Sequence, residues 1–94
     1  MQSRIFVTVL QVEKANTDIL EMLNKRLIEK GRGSYIGIHE TLGIIAEEYD
    51  ELKDAARTDD VEEFIRELKD IAVACWFGIA SLRQNEIAMA KKHE

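Results

Sequence analysis

The 94-residue sequence has no proline and a single cysteine, Cys75. Without proline, no helix interior has to be kinked or broken. One cysteine excludes an intrachain disulfide and a Cys-rich zinc site, and it fits a reducing cytosol. Glycine is also scarce: there are five, mainly between positions 31 and 43, so the chain is punctuated in one region and free to run in long helices elsewhere. Positive charge is the minority, with 13 Lys and Arg against 18 Asp and Glu and a formal net charge of −5. That balance argues against a nucleic-acid duplex or an anionic membrane as partner, since both need a basic face. The most apolar N-terminal run, Ile5 to Leu10, is too short to span a bilayer and lacks a signal-peptide cleavage site. A cytoplasmic protein is expected.

What is present is a packed, soluble composition: 46% hydrophobic and 33% charged residues. The length suits one domain spanning 1–94. A helical chain of this size buries only on the order of 60–65% of its surface alone. It is therefore expected to gain core by pairing, as a homodimer or homotetramer.

Hydrophobic periodicity marks three helices, over about residues 3–30, 38–57 and 60–90. In the first, Ile5, Val9, Val12, Ile19, Leu20, Leu23 and Leu27 recur at helical spacings, and Lys14–Asp18, Glu21–Lys25 and Lys25–Glu29 are complementary pairs. Gly31 to Ser34 should end it. In the second, Leu42, Ile45, Leu52 and Ala56 share a face; in the third, Phe64, Leu68, Ile71, Cys75 and Ile79 do. Between them, Asp59 and Glu62 have the spacing of a capping box. The tail from Lys91 to Glu94 is expected to fray. The fold class is all-α, with a four-helix-bundle core formed on oligomerisation.

The sequence carries chemistry in two acidic pairs. Glu48 and Glu51 are three apart on the second helix, and Glu67 and Asp70 are three apart on the third. That spacing puts each pair on one helical face, and here the faces lean towards the apolar stripes. A turn as short as Thr58-Asp59-Asp60 makes the helices antiparallel. Glu51 lies seven residues before Thr58 and Glu67 seven after Asp60, so the pairs should meet at one height. Carboxylates so placed oppose each other's ionisation unless a cation joins them. An all-oxygen donor set favours a hard ion, Mg²⁺ or Mn²⁺. A ferritin-like di-iron bundle is disfavoured, because neither pair is followed by the Glu-x-x-His arrangement of such sites.

The segments Glu47-Glu48-Tyr49-Asp50-Glu51-Leu52 and Glu67-Leu68-Lys69-Asp70-Ile71-Ala72 resemble the ExxE…ExxD signature of the MazG-like all-α nucleotide pyrophosphohydrolases. The lead-in from His39 to Ile45 looks similar too, and the likeness covers about residues 35–82. The resemblance implies Mg²⁺-dependent cleavage of a nucleoside triphosphate between its α and β phosphates, giving a monophosphate and pyrophosphate. It implies Glu48, Glu51, Glu67 and Asp70 as metal ligands, with Glu48 and Glu51 as catalytic residues. Glu47, four residues before Glu51 and beside the site, is a further catalytic candidate, to orient or help deprotonate the attacking water. The family usually places basic or amide groups after the second acidic motif; here Arg83, Gln84, Asn85, Lys91 and Lys92 are available. Among these, Arg83 and Asn85 are candidate substrate contacts, together with His39.

Other residues have plainer readings. Trp76 and Phe77 suit a core or subunit interface, Tyr49 suits packing away from the acidic pair, and Cys75 suits a buried small hydrophobe. Arg32 and Tyr35 could close over a substrate from a partner subunit. The alternative to an enzyme is a non-catalytic helical oligomerisation or interaction protein, with a structural or vestigial metal site.

Overall fold

The computed structural model describes residues 3–92. It contains α1 (Val9–Lys30), α2 (Gly37–Ala56) and α3 (Val61–Lys92), and no strand among the described residues. The first helix starts later than its apolar periodicity predicts, and residues 3–8 are non-helical. Two causes coincide at that boundary. Ile5, Val7 and Thr8 are β-branched and lose rotamer freedom in a helix. Thr8 itself is extended (φ −78°, ψ 156°) and caps α1, its hydroxyl oxygen accepting from the Gln11 N–H at 3.2 Å. At the other end, Gly31 takes φ 80° and donates its N–H to the Leu27 carbonyl at 3.0 Å. This left-handed position suits glycine and stops the helix.

The cap of α3 is one residue later than expected. Asp59 adopts φ 55° and turns the chain, a conformation that Asp tolerates better than most residues. Asp60 is then the capping residue: its Oδ1 accepts from the N–H groups of Glu62 and Glu63 at 3.0 and 3.2 Å. At the far end Lys91 and Lys92 continue α3, while His93 and Glu94 lie outside the described residues.

α2 and α3 form an antiparallel hairpin. Thr41 and Ala55 are buried on α2; Val73, Ala74, Phe77, Gly78 and Ser81 are buried on α3. The tightest approach is the Thr41 γ-methyl against Gly78, where an added Cβ would stand only 2.8 Å from it. α1 packs on α3 and buries no residue completely. Its anchor is aromatic: the Arg26 guanidinium lies 3.9 Å from the Phe77 ring centroid and 5.6 Å from that of Tyr35, and the two rings meet edge-to-face at 4.9 Å.

The chain is elongated, 60 × 29 × 29 Å, with a radius of gyration of 16.4 Å. A compact chain of this length would have about 12 Å. Its accessible surface, 7889 Å², exceeds the roughly 5,500 Å² expected of a folded monomer of this mass.

Candidate functional site

The hairpin register sets the site. Thr41 faces Gly78; seven residues on from Thr41 is Glu48, and seven back from Gly78 is Ile71. Two turns of helix from the tight contact, Glu48 therefore comes level with Glu67 and Asp70. One ligand oxygen from each of Glu48, Glu67 and Asp70 lies within 4.8 Å of the others. All three residues are half-buried.

Glu51 stands differently. It is exposed and outside this three-residue group. Even so, it is near enough for its charge to act on both Glu48 and Glu67. Three of the four expected ligands converge, and the fourth, though exposed, stands within hydrogen-bond reach of Glu48. The physical reason is rotation: successive residues turn by about 100°, which carries Glu51 away from the row of Thr41, Glu48 and Ala55 that faces α3.

Electrostatics in the group are unfavourable without a cation. Burial pushes the Glu48 carboxyl above its ordinary value, and the charges of Glu51, Asp70 and Glu67 push further in the same direction. Glu67 is raised by burial first, then by Asp70 and Glu51, with Arg66 opposing. One oxygen of each, Oε2 in both residues, is buried without a hydrogen-bond partner. Buried acceptors left unpaired are costly. A divalent cation fits this arrangement: the donors are hard oxygens, and the 4.8 Å within which they all lie can accommodate the O···O spans of a Mg²⁺ coordination shell.

A cleft of about 470 Å³ opens beside the group. Glu47, Glu48 and Asp70 line one side, and Lys25, Arg26, Glu29 and Lys30 of α1 line the other. These cations did not stand out in the sequence. Arg26 and Lys30 lie four apart, and Arg26 sits beside Leu23 and Leu27 rather than opposite them; a charge at the edge of an apolar stripe was the available signal. Tyr35 is buried and lines the same cleft from its own chain, whereas Arg32 lies on the other side of α1, near Trp76.

The candidates for substrate contact lie elsewhere. His39 and Asn85 line a groove near the end of the hairpin away from the α2–α3 turn. Arg83 is exposed and 4.0 Å from Glu86. None of the three lines the acidic cleft. Asn85 instead ties a loop to α3, since its Nδ2 donates to the Tyr35 carbonyl at 3.0 Å and its Oδ1 accepts from the Ser34 hydroxyl. The Tyr35 N–H donates to Ser81 Oγ at 3.0 Å, so the segment before α2 is pinned at several points. Tyr49, half-exposed, points away from the acidic group and sits under Lys53. Cys75 is only partly buried, because the face it lies on is open.

No family model, curated protein or solved structure matches the chain. No helix among the described residues is long and apolar enough to cross a membrane.

Proposed function

We propose that the protein is a small MazG-like nucleotide pyrophosphohydrolase, using Mg²⁺ (or Mn²⁺) to cleave a nucleoside triphosphate between the α and β phosphates. The observation that carries this reading is the convergence of Glu48 with Glu67 and Asp70 across the hairpin, with ligand oxygens within 4.8 Å. Two buried carboxylate oxygens without a hydrogen-bond partner suit a cation ligand set. The acidic spacing, which resembles that of the MazG-like enzymes, gives the reaction class.

In this mechanism Glu48, Glu67 and Asp70 would hold the cation, and Glu51, close beside Glu48, would complete the acidic set. When bound, the cation would neutralise phosphate charge and make a bound water more acidic. Glu47 lines the cleft one residue from Glu48; one of its carboxylate oxygens accepts the proton of the attacking water. Positioning and electrostatics supply the rate, with no covalent intermediate.

The reading is tested by incubating the protein with a broad NTP and dNTP panel and Mg²⁺, and assaying monophosphate and pyrophosphate. Release of both from any triphosphate supports it. If no product forms while Mg²⁺ raises the melting temperature, the enzyme is lost and the metal site stays.

A second reading has its own support. The large exposed apolar residues of α2 and α3, including Leu42 and Ile79 at 62% and 60% exposure, suit a helical oligomerisation or interaction protein with a structural or vestigial metal site. The two readings share an oligomer: a dimer or tetramer in which two hairpins pack into a four-helix bundle. They part on catalysis and on the effect of Glu47→Gln, which removes activity only in the first.

A further inference from the structure

The cleft beside the acidic group has walls of opposite sign that do not touch. Arg26, Lys25 and Lys30 stand on α1 with Glu29 among them, a wall of net positive charge, while Glu47, Glu48 and Asp70 stand across from them on the hairpin. No ion pair bridges the two walls among the described residues; the only partner of this basic trio is Glu29, 3.9 Å from Lys25 on the same helix. Arg26 is the informative member. Its guanidinium face is held by the Phe77 and Tyr35 rings, yet its Nη1 is buried with no acceptor. Stacking satisfies the face of a guanidinium but not the N–H donors in its plane. Across the cleft, Glu48 Oε2 is buried with no donor. Opposed charges held apart across a ligand-sized space call for an occupant that is positive on one side and negative on the other.

We propose that α1 provides the anion-binding wall of this cleft, with Arg26 at its centre and Lys25 and Lys30 flanking it, taking the phosphate chain of a divalent-cation polyphosphate complex. The inference rests on the metal-site reading for the cation's place, but the basic wall is assigned by its own geometry. Arginine suits the central position because its planar fork can bond phosphate oxygens while the face stays stacked. Lys25 is 74% exposed at its side chain and supplies charge rather than fixed geometry. This places the phosphate contacts before the acidic motifs in sequence rather than after them.

The test uses inorganic tripolyphosphate, which has no base or sugar, in a preformed complex with Mn²⁺, alongside Mn²⁺ alone. Binding of each is measured by calorimetry for the wild type, Arg26→Gln, Arg26→Lys and the double variant Lys25→Gln/Lys30→Gln. We expect Arg26→Gln and the double variant each to weaken tripolyphosphate binding about tenfold or more, the scale of a lost charge-assisted hydrogen bond, with Mn²⁺ affinity changed less than twofold. Arg26→Lys should fall between. If Arg26→Gln fails to fold, the double variant decides, since its positions carry no packing. Equal tripolyphosphate binding by wild type and the double variant, or no binding by wild type, overturns the proposal. Tripolyphosphate binding that is lost in the variants while wild type ignores free Mn²⁺ supports the basic wall and removes the metal reading instead.

Discussion

Thr41 presents its γ-methyl to Gly78 so closely that a β-carbon at residue 78 would stand 2.8 Å away. The methyl has little room to yield. Its rotamer is fixed by the Thr41 hydroxyl, which donates to the Gly37 carbonyl at 2.8 Å, and threonine is stiff at χ1. Gly78→Ala therefore overpacks the hairpin. A cost of roughly 1–3 kcal/mol is expected from overpacking, reduced by up to about 1 kcal/mol from the better helix propensity of alanine. Thr41→Ser keeps the hydroxyl and removes the methyl, so the double variant should recover much of the loss. Denaturant unfolding of the two single variants and the double variant checks this; purely additive effects would refute the contact. Because the contact sets the register two turns from Glu48, Gly78→Ala should also weaken Mg²⁺ binding.

The raised carboxyls make a pH prediction for the metal-free protein. Glu48 and Glu67 hold their protons to higher pH in the folded chain than in the unfolded one. The folded state then binds more protons across the window from the ordinary glutamate value of 4.5 up through the raised values. Stability falls with rising pH wherever the folded state is the better proton binder. In EDTA these two groups should favour the fold most below that window and lose their contribution as pH rises through it. Saturating Mg²⁺ should flatten the decline, since it favours the ionised forms. Melting temperature against pH, with and without Mg²⁺, measures this, and a metal-free slope unchanged in Glu48→Gln/Glu67→Gln would exclude these carboxyls as its source.

Removing a ligand separates repulsion from coordination. Glu67→Gln deletes one of the crowded charges, so the metal-free variant should be as stable as wild type or more so. The same variant should lose most of the stabilisation by Mg²⁺, which for a site at a hundred times its dissociation constant is about 2.7 kcal/mol. Glu51 is exposed and outside the converging trio, so Glu51→Gln should reduce that stabilisation less than Glu48→Gln or Glu67→Gln. Thermal shift with Mg²⁺ ranks the three. Equal loss in all would place Glu51 fully in the first coordination sphere, and no Mg²⁺ effect in wild type would leave a solvated acidic surface.

The parts that could be read in the sequence were those fixed by period and by distance from a turn. Helical spacing located three elements, and equal arms about Thr58–Asp60, counted from Glu51 and Glu67, set the two acidic pairs at one height, where Glu48 rather than Glu51 joins Glu67 and Asp70. What could not be read depended on local backbone choices or on a third element. Asp59 rather than an earlier residue took the left-handed turn, moving the cap to Asp60. The α1 wall of the cleft showed in the sequence only as a charge at the edge of an apolar stripe, because Arg26 is held there by the Phe77 and Tyr35 rings, contacts that no spacing within α1 encodes. Asn85 looked like a substrate amide, yet its partners are in the Ser34–Tyr35 loop, some fifty residues away in the chain.

The face of the hairpin away from α1 predicts an assembly. At about 100° per residue, Ile38, Leu42 and Tyr49 fall on one side of the Thr41–Glu48–Ala55 row, while Glu47 and Glu51 fall on the other. On α3, Leu68 and Ile79 lie on the side opposite Val73, towards the same face as the α2 stripe. Exposures of 69% for Ile38, 62% for Leu42 and 60% for Ile79 leave this face without cover. A standard interface buries about 800 Å² per partner, well within the excess of 7889 Å² over the roughly 5,500 Å² of a compact monomer. A second copy, packed hairpin to hairpin, would cover the stripe and leave the cleft on the outer side open. Sedimentation should show a dimer or tetramer, and Leu42→Glu/Ile79→Glu should shift it to smaller species with lower stability. The Mn²⁺ affinity of that variant, measured on the fraction that remains folded, should hold within a few-fold, because the trio is built within one chain. A wild type that sediments as a monomer at micromolar concentration would remove the bundle, and a folded monomeric variant with no Mn²⁺ binding would show that the cation site needs the partner.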